Sequence, residues 1–274
     1  MRPPDIVPLG LIGAGPWGRV VAGALANVAG VNLVRVAHHR SEAHSVATAN
    51  DVAGVIIATP ASTHAALATA ALEAGKAVLV EKPMTDSPES AADLLDLART
   101  VDGILRVDHI DLYKPAWKAL KMRLCEIGPL RSVEMAFGGP APSQDDIPSH
   151  WDWGAHALAL AYDLFGPPTS VRARNIAEGL IGIELRCADG PAVTITTGNG
   201  FPVRQRRVHA QGCVGGLTYD DNAVAPAPVA SPDALVLCLR GFAEAIRLGR
   251  PDWTDANLGQ SVVTTLAAVD ECLR

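Results

Sequence analysis

The chain has 274 residues, 49% of them hydrophobic and 19% charged, with a net charge of −6 at pH 7. That is enough to bury a core divided between two domains, and an acidic chain with no basic block argues against a nucleic-acid partner. The five cysteines (Cys125, Cys187, Cys213, Cys238, Cys272) are odd in number and form no C-x-x-C pair. They argue against a disulfide framework or a zinc site and favour a reducing compartment.

Residues 6–18 read as a short apolar strand running into Gly13-x-Gly15-x-x-Gly18, with a helix following from Arg19 to Ala29. In that order the first glycine permits a tight turn and the second lets backbone approach a pyrophosphate. The third lets the helix pack closely on the strand, with the helix N-terminus facing the phosphates. A glycine-rich turn of some other α/β protein is the plainer alternative; the strand–turn–helix context favours a dinucleotide site. The same stretch imitates a signal peptide, but Asp5, Pro8, Pro16 and Arg19 break that pattern and point to a cytoplasmic N-terminus. No stretch reaches the ~18 uncharged apolar residues of a membrane span.

Val31–Ala37 is a second predicted strand, and Val55–Ala58 a third that breaks off at Thr59-Pro60. Ser62–Ala74 reads as a helix, Ala77–Val80 as a strand closed by Glu81-Lys82-Pro83, Pro88–Thr100 as a helix and Ile104–Val107 as a fifth strand. Short apolar strands alternating with helices imply an α/β domain over residues 1–110 with a parallel, doubly wound Rossmann sheet. From Leu112 the character changes. Pro115–Glu126 is helical, Arg131–Phe137 a strand, Gly138–Pro148 a loop and Asp152–Phe165 a helix. Strands follow at Ser170–Arg174, Ile181–Cys187, Ala192–Thr197, Arg207–Gln211 and Gly216–Tyr219. Pro226–Pro232 is a connector, and helices at Leu235–Leu248 and Asn257–Leu273 end the chain. Residues 111–274 are thus expected to form an α+β domain around an open, mainly antiparallel sheet.

Three groups of residues add chemistry to the glycine turn. Thr59-Pro60 with His64 lies where ligands bind in open α/β sheets, outside the carboxyl ends of strands, though a simple strand-to-helix turn reads the same way. Glu81-Lys82-Pro83 puts an acid and a lysine at that same edge, as a ligand site or as a solvated pair. Asp152 and His156, at i and i+4, share one helix face. A carboxylate beside an imidazole suits general acid/base work, or is a helix-start acid followed by a structural histidine. No cluster suggests a metal.

Taken in order, Gly13-x-Gly15-x-x-Gly18, Ala58-Thr59-Pro60 with His64, Glu81-Lys82-Pro83 and Asp152-x-x-x-His156 resemble the glucose–fructose oxidoreductase/inositol dehydrogenase (Gfo/Idh/MocA) family. Asp108-His109…Tyr113-x-Pro115-Ala116, Gly128-Pro129-Leu130 and Phe242-x-x-Ala245-Ile246…Gly249 carry the resemblance over nearly the whole chain. It implies an NAD(P)-dependent oxidoreductase acting on a hydroxyl or ketone of a sugar, cyclitol or nucleotide sugar, working as a homo-oligomer, a dimer or tetramer. Lys82 corresponds to the family's active-site lysine, and Asp152 and His156 to its acid/base pair. The expected mechanism has His156 removing the hydroxyl proton, Asp152 orienting the ring and Lys82 holding the developing alkoxide; whether Lys82 or His156 takes the proton stays open. Cofactor contacts are expected from Gly13, Gly15, Pro16, Trp17, Gly18, His38, Arg40, Thr59, Pro60, His64, Glu81 and Lys82.

Two departures qualify the pattern. His38-His39-Arg40 stands where an acid for the ribose hydroxyls is expected, which favours NADP over NAD. The 38–54 connection is short, which implies a lost edge strand and a thinner wall beside the adenine. A position where the family often repeats an acid is Ala159. The second reading is therefore a non-catalytic member that senses a dinucleotide or sugar; a third is an enzyme that keeps its nucleotide bound between two sugars.

Overall fold

A computed structural model of the chain describes residues 6–140, 147–188, 190–222 and 233–274. It contains two compact units, one of residues 6–110 with 233–263 and one of 111–222 with 264–274. The loop predicted at Gly138–Pro148 and the connector at Pro226–Pro232 fall largely on 141–146 and 223–232, outside the described residues.

The first unit alternates strand and helix: β1 (Val7–Ile12), α1 (Pro16–Leu25), β2 (Val31–Ala37), α2 (Arg40–Ala47), β3 (Gly54–Ile57), α3 (His64–Glu73), β4 (Ala77–Glu81), α4 (Pro88–Thr100) and β5 (Leu105–Asp108). All neighbouring strands are parallel, in the order β2-β1-β3-β4-β5. β3 and β4 are buried at every position and β1 at all but one, as expected of apolar runs in a sheet covered on both faces. β2 is an edge and exposes residues along its length. The chain leaves β1 outward for β2 and then returns to β3, so the crevice at the carboxyl ends of β1 and β3 is a switch point where such sheets bind ligands. The 38–54 connection spends itself on one helix of eight residues, and no described strand lies outside β2.

The last two helices correct the expected division of the chain. α7 (Ala234–Leu248) and the first half of α8 (Thr254–Leu273) belong to the first unit, not to the 111–274 domain. α7 buries Leu235, Leu239 and Phe242 and packs on α1 and β1. Arg247 donates to the Gly30 carbonyl at 2.6 Å, the Trp253 indole donates to the Gly103 carbonyl at 3.0 Å, and Arg106 pairs with Asp255 at 2.6 Å. Sequence order is silent about this return because the contacts join residues more than a hundred positions apart.

The second unit holds α5 (Pro115–Arg123), β6 (Leu130–Gly138), α6 (Ser149–Phe165), β7 (Pro168–Ala177), β8 (Leu180–Cys187), β9 (Ala192–Gly198), β10 (Gln205–Gly212) and β11 (Gly216–Asp220). Its sheet runs β11-β10-β6-β9-β8-β7, antiparallel throughout except for the parallel pair β6–β9. α6 lies on β6 and β9. On the open face stand Glu134, Thr194, Arg207 and Thr218, all exposed. Period-two alternation sends polar residues to this face and Val133, Met135, Val193, Ile195 and Val208 to the core.

Candidate active site

In the first unit the expected residues gather at the carboxyl ends of β1, β3, β4 and β5. Gly13 has φ +106°, and a Cβ there would lie 2.2 Å from the Ala58 carbonyl oxygen. Gly18 brings α1 so close to the turn that its own Cβ would lie 1.9 Å from the Gly13 carbonyl oxygen. Gly15 differs: nothing stands within 4 Å of a Cβ built on it. The α1 N-terminus beside it has no side-chain cap, so its first amides are available to an anion. Open space over Gly15 and uncapped amides behind it fit a dinucleotide pyrophosphate.

Trp17 and His64 turn out to brace this turn. The Trp17 indole donates to Glu81, tying the start of α1 to the end of β4. His64 is 1% exposed, and its ring nitrogens face the carbonyls of Pro83 at 2.9 Å and Thr59 at 2.8 Å. It thereby joins the Thr59-Pro60 and Glu81-Lys82-Pro83 motifs into one piece. His64→Ala is expected to cost about 2–4 kcal/mol of unfolding free energy, since it vacates a buried volume and strands two buried carbonyls. A melt within 1 °C of the parent, on a scale where ~1 kcal/mol moves a protein of this size by about 2–4 °C, would remove the brace assignment.

Glu81 and Asp108 are register partners at the ends of β4 and β5, 8% and 2% exposed. Burial pushes the Glu81 carboxyl well above its usual range, and the neighbouring Asp108 pushes it the same way. Two neighbouring buried carboxyls oppose each other's ionisation. Lys82 follows directly and is half-buried.

At the end of β2, His38 and Arg40 are exposed. Glu42 folds back so that its carboxylate accepts from the amides of His38 at 2.7 Å and His39 at 3.1 Å, and these bonds hold it below the usual carboxylate range. An acid does stand two residues beyond Arg40, but it serves as a helix cap. A histidine at the capping position hid that signal.

In the second unit α6 opens at Ser149, which puts Asp152 in its first turn and His156 one turn on. His156 is 6% exposed, with Nδ1 2.8 Å from Asp111 Oδ2 and Nε2 3.0 Å from the Arg206 guanidinium. The carboxylate at His156 Nδ1 is that of Asp111, from a 3-10 turn at Ile110–Tyr113. A second nitrogen of Arg206 donates to both Asp111 oxygens at 3.0 Å, and Lys114 reaches Asp111 at 2.7 Å and Asp221 at 2.6 Å. Burial works against ionisation of Asp111, but His156, Arg206 and Lys114 outweigh it and hold the carboxyl far below its usual range. Trp153 stands over Arg206, 5.8 Å from ring centroid to guanidinium carbon, and donates to Asn199 at 2.9 Å.

Asp111 and Arg206 were not among the expected site residues. The predicted strand began at Arg207, two positions too late, whereas β10 starts at Gln205. Alternation back from the buried Val208 and Ala210 puts Arg206 on the core-facing side. An arginine there requires a partner, which is the signal that could have found it. Lys82 thus belongs to the first unit, and Asp152 and His156 to the second. Among the described residues no group of histidine, cysteine and acidic side chains could hold a metal, and no helix is long and apolar enough to cross a membrane.

Comparison with known proteins places these features in context. Residues 7–109 match the family model described as Gfo/Idh/MocA, an oxidoreductase family with an NAD-binding Rossmann fold. The solved structure of an oxidoreductase of Magnetospirillum magnetotacticum is similar with TM-score 0.86 and 33% identity, over 96% of this chain and 99% of the other. UDP-N-acetylglucosamine 3-dehydrogenase of Acidithiobacillus ferrooxidans is 28% identical over 95% of each chain. Its structure gives TM-score 0.81 over 98% of each. A dTDP-3,4-didehydro-2,6-dideoxy-α-D-glucose 3-reductase of Streptomyces violaceoruber is 29% identical, over 82% of this chain and 68% of the relative.

Proposed function

The chain belongs to the Gfo/Idh/MocA oxidoreductase family, and from that premise we propose that it moves a hydride between a nicotinamide cofactor and a ring hydroxyl or ketone of a sugar, with nucleotide sugars as the leading substrate class. The observation that carries this reading is the buried imidazole of His156, held between a carboxylate and a guanidinium. Proton transfer needs such a group; a module that only binds sugar does not. The glycine turn at Gly13–Gly18 would hold the pyrophosphate, with Pro16 opening the helix. His38 and Arg40 would face the adenosine end, and Thr59, Pro60, Glu81 and Lys82 would wall the pocket at the strand ends. When bound, the nicotinamide accepts or supplies the hydride.

The chain's own residues handle the proton and the charge. In oxidation His156 takes the hydroxyl proton, and the Asp111 carboxylate on its other face stabilises the imidazolium. Lys82 holds the oxygen as its negative charge develops. Lys82→Met and His156→Asn are each expected to lower kcat by about 10²–10⁴-fold, measured with a panel of nucleotide sugars, free sugars and cyclitols. Full turnover in both variants would end the proposal.

Glu42 is engaged by two backbone amides and Arg40 is exposed beside it, which supports NADP over NAD. Arg40→Ala is expected to weaken NADPH about tenfold in a fluorescence titration and NADH by less than twofold, the loss of one charged contact to a 2′-phosphate. Equal losses would place Arg40 away from the ribose. The short 38–54 connection supports the second reading, a non-catalytic dinucleotide or sugar sensor, and fluorescence unresponsive to either nucleotide at millimolar concentration would favour it. Five free thiols support a cytoplasmic setting, and the open face of the second unit's sheet supports a homodimer or tetramer.

A further inference from the structure

An arginine is always protonated and can only donate. Its nitrogen 3.0 Å from His156 Nε2 therefore points a hydrogen at that atom, which must present a lone pair. The ring's one proton then sits on Nδ1, facing Asp111 at 2.8 Å. His156 is neutral in this arrangement, and the atom that would accept a substrate proton is already occupied.

We propose that Asp111 and Arg206 are opposed positioning residues: Asp111 fixes the Nδ1–H tautomer of His156, and Arg206 caps Nε2 until a sugar hydroxyl replaces it. The proposal rests on the reading of His156 as the proton acceptor and specifies how this chain controls it. The geometry allows the exchange. One guanidinium nitrogen holds both Asp111 oxygens while a different one caps the ring, so the second can leave with the first still anchored. Trp153 lies along the guanidinium and offers it an aromatic face. In the exchanged state the hydroxyl O–H bond breaks, its proton passes to Nε2, and the Nδ1–H stays on Asp111. Release of the guanidinium from Nε2 relieves the repulsion that two adjacent cations would suffer.

The charged and titratable groups around the ring are Asp152 on α6, Asp111 and Lys114 from the 3-10 turn and the start of α5, Arg206 and Arg204 at β10, and Tyr219 and Asp221 at β11. Asp111 favours the imidazolium and Arg206 opposes it, so removing them must act in opposite directions. Nitrogen-15 spectra of histidine-labelled protein without sugar read this directly. At neutral pH His156 is expected to carry its proton on Nδ1 alone. Asp111→Asn should move its titration down by about one pH unit and Arg206→Gln up by about as much, with the acid limb of kcat/KM following in each case. Should R206Q not fold, R206K keeps a donor but not the planar two-point fit, and its titration should move less. A proton on Nε2 in the parent protein, or shifts of the same sign in both variants, overturns the proposal. The spectra need no turnover. If they behave as stated while His156→Asn keeps full activity, only the catalytic reading fails.

Discussion

Gly18→Ala is expected to lose dinucleotide binding, with Kd for NADH and NADPH raised more than about a hundredfold, some 2.7 kcal/mol. A Cβ at Gly18 would stand 1.9 Å from the Gly13 carbonyl oxygen, and one at Gly13 would stand 2.2 Å from the Ala58 carbonyl oxygen with φ at +106°. Neither obstacle is a flexible side-chain tip; both are backbone, so α1 must move off the turn or β1 off the β3 end. Such overpacking costs about 1–3 kcal/mol in stability as well, and loss of binding alone would not show that the turn itself holds the nucleotide. Gly15→Ala separates the two effects. Nothing in the protein lies within 4 Å of that Cβ, and the residue has an ordinary negative φ of −65°. The variant should therefore melt within 1–2 °C of the parent, about 0.5 kcal/mol on the usual scale, yet bind either nucleotide at least tenfold more weakly, ~1.4 kcal/mol. Titration of intrinsic or nicotinamide fluorescence beside a thermal melt measures both. Parental affinity in Gly15→Ala would mean that the pyrophosphate does not approach the turn from its open side.

How far the sequence reveals this protein depends on the range of the forces involved. The glycine turn, the ends of β3 and β4 and the i, i+4 pair on α6 are local: sterics and periodicity fix them within a dozen residues, and they were legible. The lost edge strand was legible too, because a 38–54 segment has space for one short helix only. What escaped was tertiary. α7 returns to the first unit because its apolar stripe fits α1 and β1, and no local preference encodes that destination. Asp111 sits in a 3-10 turn that has no periodic signature, and its partners come from β10, α5 and α6. Arg206 was within reach of period-two reasoning, but a strand start misplaced by two residues, within ordinary boundary error, put it in a loop.

Asp111→Ala should be the most damaging single change in the second unit. It leaves the buried Arg206 without its carboxylate partner and the His156 Nδ1 without the oxygen it faces, while Lys114 keeps only Asp221, and removing one partner of a buried ion pair typically costs about 3–5 kcal/mol. At the ~2–4 °C per kcal/mol expected for a chain of this size, that is a fall in Tm on the order of 10 °C at pH 7. The pH dependence identifies the cause. Asp111 has a folded-state pKa held below its ordinary 3.8, so its contribution is full above that value and is lost as pH falls through the depressed one. The gap between parent and D111A should narrow as melts are taken below pH 3.8. Glu81 behaves in the opposite sense. Its folded pKa lies above the ordinary 4.5, so the stability that goes with its proton is full below pH 4.5 and is lost as pH rises through the raised value. Glu81→Gln, which copies the protonated form, should gain on the parent as pH climbs above 4.5, because the unfolded parent then ionises its glutamate while the folded one resists doing so beside Asp108. One protein thus holds two carboxyl centres with opposed acid responses: a buried glutamate that resists ionisation beside the glycine turn and an ionised aspartate under the histidine. A D111A deficit that is the same at pH 3 and pH 7 would show that Asp111 matters for its shape and not its charge, and with it would go the role assigned to that carboxylate in holding His156.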